Sequence, residues 1–361
     1  MTPKELDWLL AAGITSHLQP VVDLTRGNIA GYEALARFPG GPGPFEVFAA
    51  AREFGRGVEA EAAALRAALV KRAALPDNTF LTVNVGPDIV DTPQVREIWQ
   101  AHPSLAGVVI ELTEQVRIES YASLEPALDE LRSRGALFAV DDAGAGYAGL
   151  QHLLALRPNF IKLDRELVAG LDHDEAKRAL VDVLGGFADR IDAWIIAEGV
   201  ETVAELDVLL ALRVPLAQGF YLARPAPTVQ SLDPDLAMRI AARSAQDGRD
   251  GTLRPLLEEA VTVGRTATRE VHRLLRAGEI AVVVDQFGRP AAVVDAGGNA
   301  HAIRRSALLV NLDTPTAEAA QRAIVREPAV RFQPLVCTDS AGRFVGIVRM
   351  ERLIEALARA T

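Results

Sequence analysis

From Thr79 onward the sequence repeats one unit: a short, almost unbroken apolar run that stops in a polar residue, then a helical pattern. The runs are Thr79–Val85, Gly107–Leu112, Ala136–Val140, Phe160–Leu163, Ala193–Ala197 and Leu216–Phe220. Helical periodicity lies between them, near 93–101, 122–134, 147–156, 174–190 and 202–212. Near-continuous apolar strands alternating with helices predict a parallel sheet covered by helices. Two earlier strands, His17–Leu24 and Ile29–Phe38, are joined by Thr25-Arg26-Gly27-Asn28, turn chemistry that makes them an antiparallel hairpin. Helical patterns also cover 3–12, 45–54 and 58–75. Eight strands in about 225 residues fit a closed (β/α)8 barrel of the TIM type better than an open doubly wound sheet. The GxG after the run Ala136–Val140, Gly144-Ala-Gly146, follows two aspartates and lacks the third glycine of a dinucleotide fingerprint.

In such a barrel, functional side chains gather where strands end. Those ends supply Asn84, Glu111 with Glu114, Asp141 with Asp142, Lys162 with Asp164, Glu198 with Glu201, and Gln218; Glu33 and Arg37 come from the hairpin. Each has a plainer explanation when taken singly. A strand-end glutamate is usually solvated, Asp141-Asp142 could cap a helix, and Lys162 with Asp164 reads as an ion pair. Together they would require about six independent coincidences at one rim. Oxygen donors with one lysine, and no Cys or His cluster, define a site for a hard cation, magnesium or manganese rather than zinc.

Bulk properties narrow the partners. A net charge of −10 argues against nucleic acid. One cysteine, Cys337, leaves no intramolecular disulfide and suits a reducing compartment. Without an apolar stretch of about 18 residues or a basic–apolar leader, no membrane span or signal peptide is predicted and the cytoplasm is the expected location. Hydrophobic residues are 49% of the chain but aromatics only 5%, so the core is expected to be Ala, Leu and Val, and Trp8, Trp99 and Trp194 are too scattered for a stacking platform.

After Pro225-Ala-Pro227 the texture changes. Residues 231–253 read as a linker or an outlying helix. Residues 254–361 hold a weak duplication: hairpins at 281–294 and 334–348, each with a Gly-containing turn, each preceded by a helical stretch (268–277 and 315–327). A repeat of about 53 residues suggests a tandem pair of small α/β modules.

The rim residues also carry a family likeness. Gln19-Pro-Val-Val-Asp-Leu, Gly31-Tyr-Glu-Ala-Leu-Ala-Arg37, Asn84, Glu111-Leu-Thr-Glu114, Asp141-Asp142, Ile161-Lys162-Leu-Asp164-Arg165, Ala197-Glu198-Gly-Val-Glu201 and Gln218-Gly219 resemble, in order, the motifs of the EAL-domain cyclic-di-GMP phosphodiesterases. Over residues 1–230 the resemblance implies a barrel with one antiparallel strand that hydrolyses cyclic-di-GMP to linear pGpG as a homodimer. It implies that Glu33, Asn84, Glu111, Asp141 and Asp142 hold two divalent cations, Mg2+ or Mn2+, with Ca2+ inhibiting. Lys162, Asp164 and Glu198 would position and deprotonate water, with Glu198 the general base. Gln19, Leu35, Arg37 and Gln218 would serve the substrate, and Glu114 and Glu201 would anchor loops. The loop after Asp142 reads Ala143-Gly-Ala-Gly-Tyr-Ala-Gly149, where the family usually carries a phenylalanine and three hydroxyls. That departure defines the alternative, a weakly active or inactive barrel that binds cyclic-di-GMP and signals through protein partners. Residues 254–361 resemble a tandem CBS module, most clearly at Gly342 to Leu353, which implies a regulatory or dimerisation unit open to a small-molecule or protein effector. Arg349 and Arg352 stand where that family places its ribose-binding hydroxyl and carboxylate.

Overall fold

The computed structural model describes residues 1–361 except 78, 113–120, 142–155, 157, 192, 249–251, 265–279, 287, 295–306, 313, 325, 327–329, 340–341 and 361. The chain divides into two compact units, Met1–Ala241 and Ala242–Thr361.

The first unit is a closed eight-stranded barrel, β1 (Thr15–Asp23), β2 (Asn28–Arg37), β3 (Phe80–Val85), β4 (Val108–Leu112), β5 (Leu137–Val140), β6 (Phe160–Leu163), β7 (Trp194–Ala197) and β8 (Leu216–Ala217), paired in chain order. Strands β2 to β8 are parallel, and β1 runs antiparallel to both β2 and β8. The hairpin that inverts β1 turns through Gly27 at φ +66°, where a Cβ would lie 2.2 Å from the Ala237 carbonyl oxygen.

Alternation along each strand sorts side chains into two cores. Leu81, Val83, Ile110, Phe138, Ile161 and Ile195 face outward and pack with the surrounding helices. Val21, Phe80, Val109, Leu137, Ala139, Phe160, Ile196 and Leu216 form a separate cluster inside the barrel. The barrel floor is therefore a packed apolar plug, with Phe80 and Phe160 tilted against each other at 5.2 Å. Continuing each inward-facing series toward the strand ends gives the polar residues of the mouth.

Two elements differ from the sequence pattern. The expected strand Leu216–Phe220 stops at Ala217, because the next residues turn against the loop after β7: the Val200 N–H donates to the Gln218 carbonyl oxygen at 3.1 Å. The helix expected over 58–75 spans Gly57–Val70 and tightens into a 3-10 turn at Lys71–Ala74. The stretch expected as a linker or outlying helix carries helix Pro234–Gly248, whose Ile240 is fully buried in the barrel's outer core. The helical patterns at 147–156, apart from Leu156, and at 268–277 lie outside the described residues.

The second unit contains two three-stranded sheets of the same design. In one, β9 (Val261–Gly264) lies parallel to β10 (Ala281–Val284), which forms a hairpin with β11 (Pro290–Val294). In the other, β12 (Leu309–Asn311) lies parallel to β13 (Leu335–Thr338), which forms a hairpin with β14 (Phe344–Val348). Both hairpins are offset by 54 residues, Ala281 to Leu335 and Pro290 to Phe344. Their turns match bond for bond: the Arg289 and Arg343 N–H groups each donate to the Oδ1 of Asp285 and Asp339 at 2.9 Å. One residue pair from each hairpin, Val282 with Val293 and Val336 with Ile347, joins in a shared apolar cluster. Arg349 and Arg352 both pair with Glu258, at 3.1 and 3.6 Å.

Cys337 is completely buried on β13, and burial pushes its thiol up to about 12. Because only the thiolate reacts, Ellman's reagent at pH 8 is expected to label the native chain at least about 100-fold more slowly than the urea-unfolded chain. Rapid native labelling would place Cys337 at an accessible position.

Candidate metal and active site at the barrel mouth

The site is built in two tiers. A TIM-type barrel interior stacks layers of four side chains drawn from alternate strands. At the mouth, the even-numbered strands contribute Glu33 (β2), Glu111 (β4), Lys162 (β6) and, just past β8, Gln218; all four are buried. The odd-numbered strands contribute the tier above, Asn84 near the end of β3, Asp141 just past β5 and Glu198 just past β7, which are partly exposed. Strand register sets these levels. Asn84 pairs with Glu111, Glu111 with Ala139 two residues before Asp141, and Lys162 with Ile196 two residues before Glu198.

Lys162 is the hub. Its Nζ lies 2.6 Å from Glu198 Oε1, 2.7 Å from Glu111 Oε2, 3.6 Å from Glu33 Oε1 and 3.8 Å from Asp141 Oδ1. Burial alone would favour a neutral amine, yet the four carboxylates hold Lys162 well above its ordinary range as an ammonium. Glu33 is also buried, but Lys162 and the Gln218 and Asn84 amides more than offset that cost and lower its pKa. Its Oε1 accepts from Asn84 Nδ2 at 3.0 Å and its Oε2 from Gln218 Nε2 at 2.6 Å. Burial pushes Glu111 well above the carboxylate range; Lys162 opposes the shift and the other three acids add to it. Burial raises Glu198 to about 7, again against Lys162 and with Glu33 and Asp141.

The Gln218 Nε2 also donates to Gln19 Oε1 at 2.9 Å, and Gln19 Nε2 to the Ala223 carbonyl oxygen at 3.1 Å. Gln19 thus fastens β1 to the segment after β8 through a chain that ends on Glu33. Leu35 and Arg37 follow Glu33 along the inward series of β2 and are half-buried. The Arg37 guanidinium donates to the Ala36 carbonyl oxygen at 2.9 Å. Asp164 stands apart. It is not among the four carboxylates that, among the described residues, lie within 4 Å of Lys162, and its side chain caps helix Arg165–Val168 by accepting from the Glu166 N–H. Glu201 pairs with Arg165 at 2.8 Å, joining the loops that follow β6 and β7. Asp142 and Glu114 lie outside the described residues.

Several supports were missed in the sequence. Glu205 is buried and accepts from the backbone N–H groups of Gly170, Glu201 and Thr202, at 3.0, 2.9 and 2.9 Å. It bridges the loop that carries Glu198 to the loop after helix Arg165–Val168. Thr202-Val-Ala-Glu205 is a capping box, so its signal was present in the sequence. Glu61 accepts from the Gly86 N–H and from Arg52, both at 2.7 Å, and fixes the chain just beyond Asn84. Gly219 is required by close approach, since a Cβ there would lie 2.2 Å from both Val200 N and Val200 O.

The donor set fits a hard divalent cation. It offers carboxylates and carboxamide oxygens, and the buried Gln218 Oε1 has no hydrogen-bond donor among the described residues, an acceptor that a cation's hydration shell can satisfy. As placed, however, no three acid, imidazole or thiol groups among the described residues stand close enough together to hold an ion. The carboxylates converge on the lysine instead.

Fold and site together define a (β/α)8 barrel with an acidic, lysine-centred mouth suited to oxygen-ligated cations. The model of the EAL domain family matches residues 7–225, and the chain belongs to that family. A CBS domain model matches residues 300–359. The probable cyclic di-GMP phosphodiesterase PdeG of Escherichia coli is 28% identical over 225 residues, covering 59% of this chain and 44% of PdeG. A standalone EAL protein of Vibrio cholerae, solved with c-di-GMP bound, aligns with a TM-score of 0.54 at 26% identity, covering 62% of this chain and 97% of that one. BlrP1 of Klebsiella pneumoniae, solved with calcium and cy-diGMP, aligns with a TM-score of 0.54 at 31% identity, covering 63% and 59%; a manganese complex of BlrP1 aligns comparably. The chain spans 32%, 27% and 44% of the length of the first three curated relatives it matches. Among the described residues, no helix is long and apolar enough to cross a membrane.

Replacing Gly219 by alanine is expected to push apart the segments carrying Gln218 and Val200. The resulting loss of stability, about 1–3 kcal/mol by analogy with overpacked cores, should appear in urea titrations as a lower midpoint. An unchanged midpoint would mean the two loops separate freely.

Proposed function

We propose that the barrel hydrolyses cyclic-di-GMP to linear pGpG with two divalent cations, Mg2+ or Mn2+, and that residues 254–361 modulate it. The observation that carries this reading is the acid ring around Lys162, set at the end of the barrel where this fold performs chemistry. The family relatives solved with cyclic-di-GMP, and with manganese or calcium beside it, support the substrate and cofactor class.

In this reading Glu33, Asn84, Glu111, Asp141 and Asp142 would hold the two cations. When bound, the cations lower the pKa of water and neutralise a phosphodiester that an acidic mouth would repel. The chain's own groups do the rest. Glu198, with its pKa near 7, is matched to accept the proton of the attacking water at neutral pH. The 2.6 Å contact to Lys162 fixes that carboxylate, and the ammonium charge favours negative charge developing on the water oxygen. Asp164 assists from the β6 loop. Arg37 offers its guanidinium, and Leu35 an apolar surface, to the substrate at the β2 edge. Gln19 and Gln218 keep Glu33 aimed. The chain works as a homodimer in the cytoplasm, with an effector at the C-terminal module and calcium as an inhibitor.

Incubation with cyclic-di-GMP and Mg2+ or Mn2+ should yield pGpG on ion-exchange chromatography. Tight binding without product would favour the receptor reading, to which the sequence after Asp142 lends some weight. Glu198→Gln should lose about 100-fold or more in turnover while keeping substrate affinity, since it removes a general base. Glu33→Ala should abolish turnover together with cation binding in calorimetry. Wild-type rates in either variant would overturn these assignments.

A further inference from the structure

The buried tier of the mouth has an unusual composition. In the layer formed by Glu33, Glu111, Lys162 and Gln218, two acids, one base and one amide occupy positions that a barrel normally fills with branched apolar side chains. Two acids in such a layer, with Asp141 and Glu198 immediately above, need a counter-charge before any ligand arrives. Lys162 supplies it. Its ammonium has three hydrogens but faces four carboxylates, two at 2.6–2.7 Å and two at 3.6–3.8 Å, a surround more like that of a coordinated cation than of an ordinary ion pair. Among the described residues the carboxylates converge on the lysine rather than on one another.

We propose that Lys162 is a resident stand-in for a divalent cation: its ammonium holds Glu33, Glu111 and Asp141 in the metal-free barrel, and a cation enters by taking these acids over while the lysine retains Glu198. The inference rests on the cation-dependent reading given above and adds a role before catalysis. Lys162 lets the acidic layer fold without metal, and it competes with the metal for Glu33, Glu111 and Asp141. The metal's apparent affinity is lowered by the work of displacing the ammonium, and displacement leaves Lys162 directed at the carboxylate that handles the proton.

The test is Lys162→Met in the full chain, with Mg2+ alone as the probe. A stand-in predicts opposite effects on two readouts. The metal-free variant should melt several degrees below the wild type, and calorimetry should show Mg2+ binding at least about tenfold tighter, because the competitor is gone. Saturating Mg2+ should then return most of the lost melting temperature. A lysine that merely braces the site would weaken Mg2+ binding and stability together, and weakened or unchanged affinity overturns the proposal. If the wild type binds no Mg2+ at all, the cation-dependent reading falls with it; if the wild type binds and only the variant behaves otherwise, the stand-in alone fails.

A second measurement needs no variant. The chain has four lysines, Lys4, Lys71, Lys162 and Lys177, and Lys162 is the only buried one. In 15N-lysine spectra the single solvent-protected ammonium signal should shift as Mg2+ saturates the site. Saturation without a shift overturns the proposal even if Lys162→Met does not fold.

Discussion

An ionised layer inside a barrel is tolerable only when its charges answer one another, and here a single ammonium answers four carboxylates. The apolar plug of Phe80, Val109, Leu137, Phe160 and Ile196 fills the interior below them. That geometry raises the cost of every unpaired charge and strengthens every contact made to Lys162. It also separates the acids by role. Glu33 has its oxygens filled by amides and the lysine and stays ionised, while Glu111 and Glu198 are pushed upward by burial and by neighbouring acids, Glu33 and Asp141 among them. Three side chains of like chemistry thus acquire unlike proton affinities from position alone.

Around this tier lies a set of contacts whose only task is aim. Glu205 gathers three backbone N–H groups and ties down the turn carrying Glu198; Glu61 does the same for the chain leaving Asn84. Gln19 and Gln218 pass a chain of amide bonds across the seam where β1 meets β8. That seam is short, with only Val22 and Asp23 pairing Ala217 and Leu216, so the side-chain bonds reinforce a place where strand pairing is brief.

Much of this was legible in the sequence. Strands buried on both faces announce themselves as apolar runs, and the polar residue at which each run stops is the one the barrel lifts to its mouth; Asn84, Glu111, Asp141, Lys162 and Glu198 were all found that way. Asp164, which two-residue alternation placed on the same face as Lys162, also caps the helix that follows β6, a role the sequence pattern did not reveal. Who pairs with whom was not readable. Lys162 meets Glu111 and Glu198 across 51 and 36 positions of chain, a matter of barrel closure and register rather than local pattern. The brief β8 was overextended for a similar reason, since the close approach at Gly219 depends on Val200, far from it in sequence. The repeat of the second unit was visible as two copies of helix, strand, Gly-turn and strand about 53 residues apart, while the matching bonds from Arg289 and Arg343 N–H to the Asp285 and Asp339 side chains emerge only in the structure.

The inverted first strand has one more consequence. In an all-parallel barrel the chain enters at the sealed floor. With β1 reversed, Thr15 lies level with Arg37, and the opening helix Pro3–Ala12 delivers the polypeptide beside the acidic opening. Whatever is spliced upstream of that helix, a tag or a sensory module, is thereby moored next to the barrel's acidic doorway and can crowd it or shield it without touching the groups around Lys162.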